Sequence, residues 1–180
     1  MLLRTETEHL ILSVATNENA KDVLDFYVDN QHLFDAYEPT RPQNFYTEAY
    51  HKACLTVEYD NIIHHRFLRY YIYLKTNPTK IIGSINFSDI VYGAFLKATI
   101  GYKLDQNYHH QGYALEACKH VIDIMFNDYQ LERIEAKVLP SNSPSIRVLE
   151  NLNFRFEGME YSAVSINNSR VDLHRYSLTK

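Results

Sequence analysis

The chain has 180 residues, of which 46% are hydrophobic and 22% charged, and its formal net charge is -4 at pH 7. This composition is typical of a globular protein whose core needs no disulfides or metals, and it argues against disorder. The weak negative charge gives no reason to expect nucleic acid or an anionic membrane as a partner, and no apolar run is long enough to span a bilayer.

The first third of the chain predicts one strand and two helices. Alternating apolar residues predict a strand over residues 9–14. Asn17 is expected to cap a helix that runs to about Asn30, and a second helix is expected over residues 46–61. The loop between them, residues 37–42, contains two prolines that disfavour helical geometry in the residues before them.

The middle of the chain predicts three strands. Residues 67–75 and 80–88 are expected to pair as a hairpin with its turn at Asn77 and Pro78. From residue 94 to residue 104 every even position is apolar, which predicts a strand with one buried face.

The spacing of apolar residues then changes to the helical period. After a loop over residues 105–111, a helix beginning at Gly112 carries an apolar stripe that includes Cys118, which we expect to be a buried, reduced thiol. A strand follows at residues 134–138, and Ser143 and Pro144 are expected to open a last helix that ends at Asn153.

The last segment predicts a hairpin made of residues 154–164 and 171–178, which turns at Asn167 and Asn168. The predicted order is therefore β-α-α-β-β-β-α-β-α-β-β. This order indicates a single α/β domain over residues 1–180, with helices packed on a mixed sheet.

The predicted junction at Gly112 is a candidate anion site. The amino terminus of a helix presents unpaired N–H groups and a partial positive charge, and glycine lets a phosphate approach the backbone closely. The junction lacks the Lys and Ser/Thr of an NTP-binding loop, and taken alone it is also compatible with an ordinary strand–helix turn. Residues 139–145 make a second strand–helix junction, and two such neighbouring junctions form a cleft at the carboxyl ends of their strands.

Two motifs at these junctions resemble the GNAT family of N-acetyltransferases. Residues 100–105 and 108–117 read IGYKLD and YHHQGYALEA, which is similar to the acetyl-CoA motif of that family. Asn142 and Ser145, with the segment 148–158 that follows, resemble the second motif of the RimJ/RimL branch, which acetylates the amino termini of ribosomal proteins. The resemblance implies the GNAT fold, whose mostly antiparallel sheet is splayed at the acetyl-CoA site and has helices on both faces.

The resemblance also implies roles for single residues. The backbone of Tyr102, Lys103 and Leu104 would hold the pantetheine arm of acetyl-CoA, and Asn142 would hydrogen-bond the same ligand. Ser145 would protonate the departing CoA thiolate, and a hydroxyl that caps its own helix is the equally good alternative. The diphosphate would lie in the loop formed by His109, His110, Gln111, Gly112, Tyr113 and Ala114.

The sequence departs from the family pattern at several positions. His109 stands where Arg or Gln is usual, and neutral histidines are weak counter-charges for phosphate at pH 7. The branch often has glutamates at the positions of Thr99 and Val164, so no general base is identified and retention of catalysis is an open point. The two neighbouring histidines lack a matching cluster for a metal site, so no metal is expected.

The absence of these carboxylates favours a weakly basic acceptor. An α-amine has a pKa of about 7.7–8.0 and is partly neutral near pH 7.5, whereas lysine at about 10.4 would need a large shift. A protein or peptide N-terminus is therefore the expected acceptor, with Tyr37 and Glu38 as candidate contacts unless they serve only packing and solvation. A small amine such as a polyamine, antibiotic or toxin, and a CoA-binding module with weak or no catalysis, are the alternatives. A cytoplasmic location is expected, and the family resemblance makes a homodimer an assembly to test.

Overall fold

The computed structural model describes residues 2–180. Within these residues the chain forms eight strands and five α-helices. They are β1 (Arg4–Glu6), β2 (Leu10–Ser13), α1 (Ala20–Asp29), α2 (Gln31–Phe34), α3 (Glu48–Ile63), β3 (Leu68–Leu74), β4 (Asn77–Val91), β5 (Lys97–Leu104), α4 (Tyr113–Asn127), β6 (Arg133–Val138), α5 (Ser143–Asn151), β7 (Arg155–Ile166) and β8 (Ser169–Thr179).

The strands form one mixed sheet in the order β1-β2-β3-β4-β5-β6-β8-β7. The pair β5–β6 is parallel, and every other pair along this order is antiparallel. A parallel pair needs a crossover connection, which α4 provides on its way from β5 to β6. The predicted mixed, mostly antiparallel α/β fold is thus confirmed.

Helices cover both faces of the sheet, and the alternation of side chains along the strands sorts the core into two clusters. Tyr71 and Ile81 pack with α1 and α3 on one face. Their neighbours Tyr70 and Ile82 pack with α4 on the other. Successive strand residues point to opposite faces, so each pair of neighbours divides between the two layers.

The sheet opens between β5 and β6. The two strands are paired from Lys97 and Arg133 as far as Ile100 and Ala136. Beyond that point β5 continues to Leu104 on β4, while β6 continues to Val138 on β8. The carboxyl ends of the two parallel strands therefore diverge, as the family resemblance implies.

Three predicted boundaries in the first half of the chain are wrong. Thr16 and not Asn17 is the first cap, because its side chain accepts from Glu18 N above a short 3-10 turn that precedes α1. The β3–β4 turn lies at residues 75–76, since Pro78 lies at the start of β4, where a missing N–H is tolerated. Strand β5 begins at Lys97 rather than at residue 94, because Leu96 adopts a φ of +42° that interrupts extended backbone.

The cap of α5 is also corrected. The side chain of Asn142, not that of Ser143, accepts the hydrogen bond from Ser145 N, which places Pro144 inside the first turn. The sequence reading missed the short elements β1 and α2. The left-handed stop at Asn153 and the hairpin turn at Asn167 and Asn168 are confirmed by φ values of +63°, +50° and +61°.

Candidate functional site

The diverging segment of β5 has backbone groups without a strand partner on its β6 side. Asp105 N donates to Ile82 O at 2.8 Å, which fixes the odd-numbered residues of this segment as those that bond β4. The backbone groups of Tyr102 and Leu104 therefore face the opening, because the direction alternates along an antiparallel strand. An extended ligand in the opening can hydrogen-bond to these backbone N–H and C=O groups as an added strand would.

The first turn of α4 lies at the same end of the sheet. His110 and Gly112 have φ values of +60° and +84°, so the chain makes a tight left-handed loop immediately before the helix. Among residues 2–180, no atom accepts a hydrogen bond from the backbone N–H groups of residues 110–115. A Cβ at Gly112 would meet no atom within 4 Å, so the space beside the Gly112 Cα is open. Amides free in this way fit the diphosphate of a coenzyme.

The side chains of this loop are mostly engaged with the loop itself. His109 Nε2 lies 3.0 Å from Leu104 O and donates to it, which occupies one carbonyl of the opening. Gln111 Nε2 donates to Asn107 O at 3.1 Å, and His110 is exposed. The loop therefore offers backbone N–H groups to an anion rather than a cationic side chain.

The side chain of Tyr102 links β5 to α5, a contact that the sequence reading did not include. Its hydroxyl donates to Ser145 O at 2.8 Å and lies 2.9 Å from Ser145 Oγ. Burial raises the pKa of Tyr102, and the nearby Cys118 thiol acts in the same direction, so the phenol stays protonated. Ser145 Oγ thus bonds a tyrosine hydroxyl, while the cap of its helix comes from Asn142.

Lys103 points to the opposite face of the sheet, where it meets one of the two predicted acceptor contacts. Its ammonium lies 3.3 Å from Tyr27 Oη and pairs with the Glu38 carboxylate, which also accepts from Arg41 at 3.0 Å. Tyr37, the other predicted contact, is 38% exposed and does not line the cavity described next.

A polar cavity of about 250 Å³ lies beside Lys103 between α1, α3 and the sheet. Glu58 and Arg69 form an ion pair in its wall, with Oε1 and Nη1 2.6 Å apart. Burial raises the pKa of Glu58, although Arg69 and Lys103 act against this shift. Its lining consists of Tyr27, Glu38, Phe45, Tyr50, His51, Cys54, Leu55, Glu58, Arg69, Tyr71 and Lys103.

His51, which the sequence analysis did not single out, also lines this cavity and is buried, at 3% exposure. It stacks on Tyr27 with ring centroids 5.4 Å apart and an interplanar angle of 14°. Burial lowers its pKa, and Arg41 acts in the same direction, so the ring is held neutral. A periodic helix pattern could have shown that residue 51 faces inward, but not what surrounds it.

The two positions where the resemblance leads one to expect glutamate lie apart from each other. Thr99 on β5 is in register with Glu135 on β6, whereas Val164 pairs with Val171 in the β7–β8 hairpin. Burial alone would raise the pKa of Glu135, but Arg133 and Lys97 hold it below its usual range. The carboxylate nearest in register to Thr99 is thus engaged with two cations.

A wider depression of about 780 Å³ lies between the end of α5 and the β7–β8 strands, and it contains none of the residues of the opening. Among residues 2–180 no helix combines the length and apolarity needed to cross a bilayer. Within the same residues no group of three or more His, Cys, Asp or Glu side chains is arranged to hold a metal ion.

Comparison with known proteins connects this geometry to a chemistry. The model of a family described as acetyltransferase (GNAT) domain matches residues 9–155. The probable N-acetyltransferase YjcK of Bacillus subtilis (strain 168) is 31% identical over 149 residues, which cover 83% of this chain and 82% of that protein. The [ribosomal protein uS5]-alanine N-acetyltransferase of Escherichia coli (strain K12) is 29% identical over 157 residues, covering 87% and 80% of the two chains.

Solved structures agree with these matches. The ribosomal-protein-S5-alanine acetyltransferase from Vibrio fischeri superposes with a TM-score of 0.93 at 28% identity, covering 99% of this chain and 97% of that one. The microcin C7 self-immunity acetyltransferase MccE, solved in complex with acetyl-CoA and AMP, has a TM-score of 0.86 over 97% and 94% of the chains. At 20% identity, the second likeness shows the fold alone.

Proposed function

Because the chain belongs to the GNAT family of N-acetyltransferases, we propose that it uses acetyl-CoA to acetylate the α-amine of a protein or peptide N-terminus. The observation that carries this proposal is the open end of the β5–β6 pair, with the unbonded amides of the α4 amino terminus beside it. The relatives that are named as uS5-alanine N-acetyltransferases support the same class of acceptor.

In this proposal the coenzyme lies along the opening. The N–H groups of Gln111, Gly112, Tyr113 and Ala114 hold the diphosphate, with the backbone of His109 and His110 shaping the loop. The pantetheine arm adds to β5 beside Tyr102, Lys103 and Leu104, and the side-chain NH2 of Asn142, whose Oδ1 caps α5, donates to the coenzyme. A strand N–H that faces the opening can then donate to the thioester oxygen as negative charge develops there.

The acetyl group moves in one displacement. The neutral amine attacks the thioester carbon, the carbon–sulfur bond breaks, and the amine nitrogen loses a proton while the CoA sulfur gains one. Ser145 is the proposed proton donor to sulfur, and the Tyr102 hydroxyl at 2.9 Å orients it. Before transfer the single hydrogen of the phenol is donated to Ser145 O. Once Ser145 has given its proton to sulfur, the protonated phenol can donate to Ser145 Oγ instead, and the proton lost by the amine restores the serine hydroxyl through solvent.

The carboxylates near the acceptor side favour an α-amine over a polycation. Glu38, Glu58 and Glu135 are each paired with a lysine or arginine, so these three carboxylates are less available to attract a polyamine. Thr99 and Val164 stand where the family branch often has glutamates, which disfavours deprotonation of a lysine, whereas an α-amine is partly neutral near pH 7.5.

A peptide assay tests the proposal. Purified protein is mixed with acetyl-CoA and one of two peptides, the first with a free N-terminus and no lysine, the second with a blocked N-terminus and an internal lysine. We expect release of free CoA thiol, and a mass increase of one acetyl group, with the first peptide only. Acetylation of lysine alone would overturn the choice of acceptor.

The alternatives give different results in the same assay. Thiol release only with small amines would identify a small-molecule acetyltransferase, and CoA binding without thiol release from any amine would identify a binding module. The proposal also includes one domain over residues 1–180, a cytoplasmic location and no nucleic-acid or membrane partner. Light scattering of the purified chain would test the homodimer.

A further inference from the structure

The turn between β1 and β2 contacts the first turn of α4, where the proposed diphosphate site lies, and Glu116 makes this contact. The backbone N–H of Glu116 donates to Gly112 O at 3.0 Å and closes the first turn of the helix, while its side chain reaches residues 7–9. The free amides of residues 113–115 belong to the same helical turn. Their direction therefore depends on how Glu116 is held.

Both oxygens of the Glu116 carboxylate are occupied by the β1–β2 turn. Oε1 accepts from Thr7 Oγ1 and from His9 N, the latter at 2.9 Å, and Oε2 lies 2.9 Å from His9 Nδ1. Although burial would raise the pKa of Glu116, the hydrogen bonds from Thr7 and from the backbone of His9 hold it below its usual range. The carboxylate is therefore ionised at neutral pH and can only accept, which assigns the hydrogen of this contact to His9 Nδ1.

The turn that holds Glu116 is closed by its own hydrogen bonds and is anchored in the core. Thr7 N donates to Leu10 O at 3.0 Å, and Thr7 Oγ1 accepts from Leu10 N at 3.1 Å. Leu10 is fully buried in the cluster that also contains Ala117 of α4. The turn can therefore act as a fixed support for the Glu116 side chain.

A second contact joins the same two parts of the chain one helical turn farther from the proposed site. Thr5 Oγ1 lies 2.8 Å from Nε2 of His120, which follows Glu116 by four residues on α4. Both contacts hold the β1–β2 hairpin against α4, but only the contact of Glu116 lies in the turn that presents the free amides. A general role in packing and a role in ligand binding can therefore be separated by experiment.

From these observations we propose that Glu116 is a positioning residue for the diphosphate of acetyl-CoA. Held by Thr7 and His9, it fixes the first turn of α4 so that the N–H groups of residues 113–115 point towards the ligand. The proposal rests on the proposed function, since the diphosphate site is part of that function. Because the turn occupies both of its oxygens, Glu116 acts through the backbone that it orients and not by touching the coenzyme.

Calorimetric titration with CoA tests this assignment. In Glu116→Ala we expect CoA to bind about tenfold more weakly, a difference of about 1.4 kcal/mol, because the first turn loses its support. Glu116→Gln keeps a carbonyl oxygen that can accept from Thr7 and from His9 N, so its affinity should stay within about threefold of the parent value. Thr5→Val removes only the contact with His120 and should leave the affinity unchanged. An unchanged affinity in Glu116→Ala would overturn the proposal, as would an equal loss in Thr5→Val.

Steady-state kinetics distinguishes positioning from a part in the chemical step. With a peptide N-terminus as acceptor, Glu116→Ala should raise the KM for acetyl-CoA and leave kcat within about twofold, because a contact that matters equally before and during the reaction affects binding alone. Asp123→Asn, at an exposed carboxylate of the same helix, removes the same charge and should change neither constant. A fall in kcat without a rise in KM would refute the positioning role.

Amide hydrogen exchange measures the same effect without the coenzyme. The amide of residue 116, which donates to Gly112 O, should exchange faster in Glu116→Ala than in Thr5→Val, since only the first variant loosens this turn. Equal exchange in the two variants would contradict the proposal. If the parent chain binds CoA and Glu116→Ala binds it equally well, only this inference fails, whereas a parent chain that binds no CoA would refute the proposed function.

Discussion

Tyr102 contributes to the proposed site in two ways, through its backbone and through the hydroxyl that contacts Ser145. The backbone of Tyr102 faces the opening in the sheet, while its side chain reaches the first turn of α5. This contact fixes the Ser145 hydroxyl relative to the strand that would hold the thioester. The capping role considered for Ser145 belongs to Asn142, which leaves the serine hydroxyl to the Tyr102 hydrogen bond.

Separate removal of the Ser145 and Tyr102 hydroxyls distinguishes the proposed proton donor from the group that orients it. Ser145→Ala is expected to lower kcat by about 10²-fold with little change in the affinity for acetyl-CoA, because the lost group acts on the leaving thiolate. Tyr102→Phe should lower kcat less and reduce the free energy of unfolding by about 1 kcal/mol. The rate of thiol release and urea unfolding measure these effects.

Tyr129→Phe is the matched control, since that buried tyrosine hydroxyl has no partner in the described residues. It should change neither kcat nor stability appreciably. An unchanged kcat in Ser145→Ala would rule out this serine as the proton donor.

At the scale of elements, the junction of β5 with α4 positions the proposed diphosphate site. The amides at the start of α4 remain free because the preceding loop turns through His110 and Gly112 in left-handed conformations. A Cβ at Gly112 would have enough space, but the positive φ of this residue is unfavourable for any residue that carries a Cβ. The positive φ therefore explains the glycine, and the open space in front of it is available to the ligand.

Gly112→Ala and Gly93→Ala form a matched pair, because both glycines have positive φ, +84° and +72°, and neither would bring a Cβ within 4 Å of another atom. Each substitution is expected to reduce the free energy of unfolding by about 1–2 kcal/mol. Only Gly112→Ala should weaken CoA binding, by about tenfold or more, since only that loop would contact the diphosphate. Calorimetric CoA titration distinguishes the two, and equal affinities in both variants would place the diphosphate elsewhere.

At the scale of the whole molecule, two cores lie on opposite faces of one sheet. The α4 and α5 face carries the proposed coenzyme site, and the α1 and α3 face carries the cavity lined by His51. Because His51, which packs against Tyr27 and Phe45 of the second cluster, is kept neutral by burial, the stability of the fold depends on pH.

The sign of this dependence follows from the lowered pKa of His51. Below its ordinary value of about 6.5 the unfolded chain binds a proton that the folded chain does not, so the free energy of unfolding falls as pH decreases. One such group contributes about 1.4 kcal/mol per pH unit at most. Urea unfolding at pH 6.5 and 5.5 should show a smaller loss in His51→Gln than in the parent chain.

The same loss of stability in His51→Gln and in the parent would show that other groups produce it. Glu116 and Glu135, whose pKa values lie below the ordinary range, contribute only at lower pH, where their carboxylates become protonated.

Local patterns in the sequence determined most elements of the fold and indicated the loop where the coenzyme is proposed to bind. The even-numbered apolar positions of β5, the helical stripe of α4 and the two asparagines of the last turn each depend on neighbours along the chain. The family motifs added the order of elements and the loop at Gly112. Predicted element boundaries were wrong where a neighbouring residue set the geometry, as Thr16 does by capping the first turn and Leu96 by adopting a left-handed conformation.

Only the tertiary structure decided which distant side chains meet. Tyr102 and Ser145 are 43 positions apart, and Lys103 and Glu38 are 65 apart, so no periodicity links either pair. The free nitrogen of His51 and the ion pair beside it exist only because α3 packs on the sheet. Burial, charge pairing and unsatisfied hydrogen bonds are properties of an enclosed space, and that space forms only when the elements pack together.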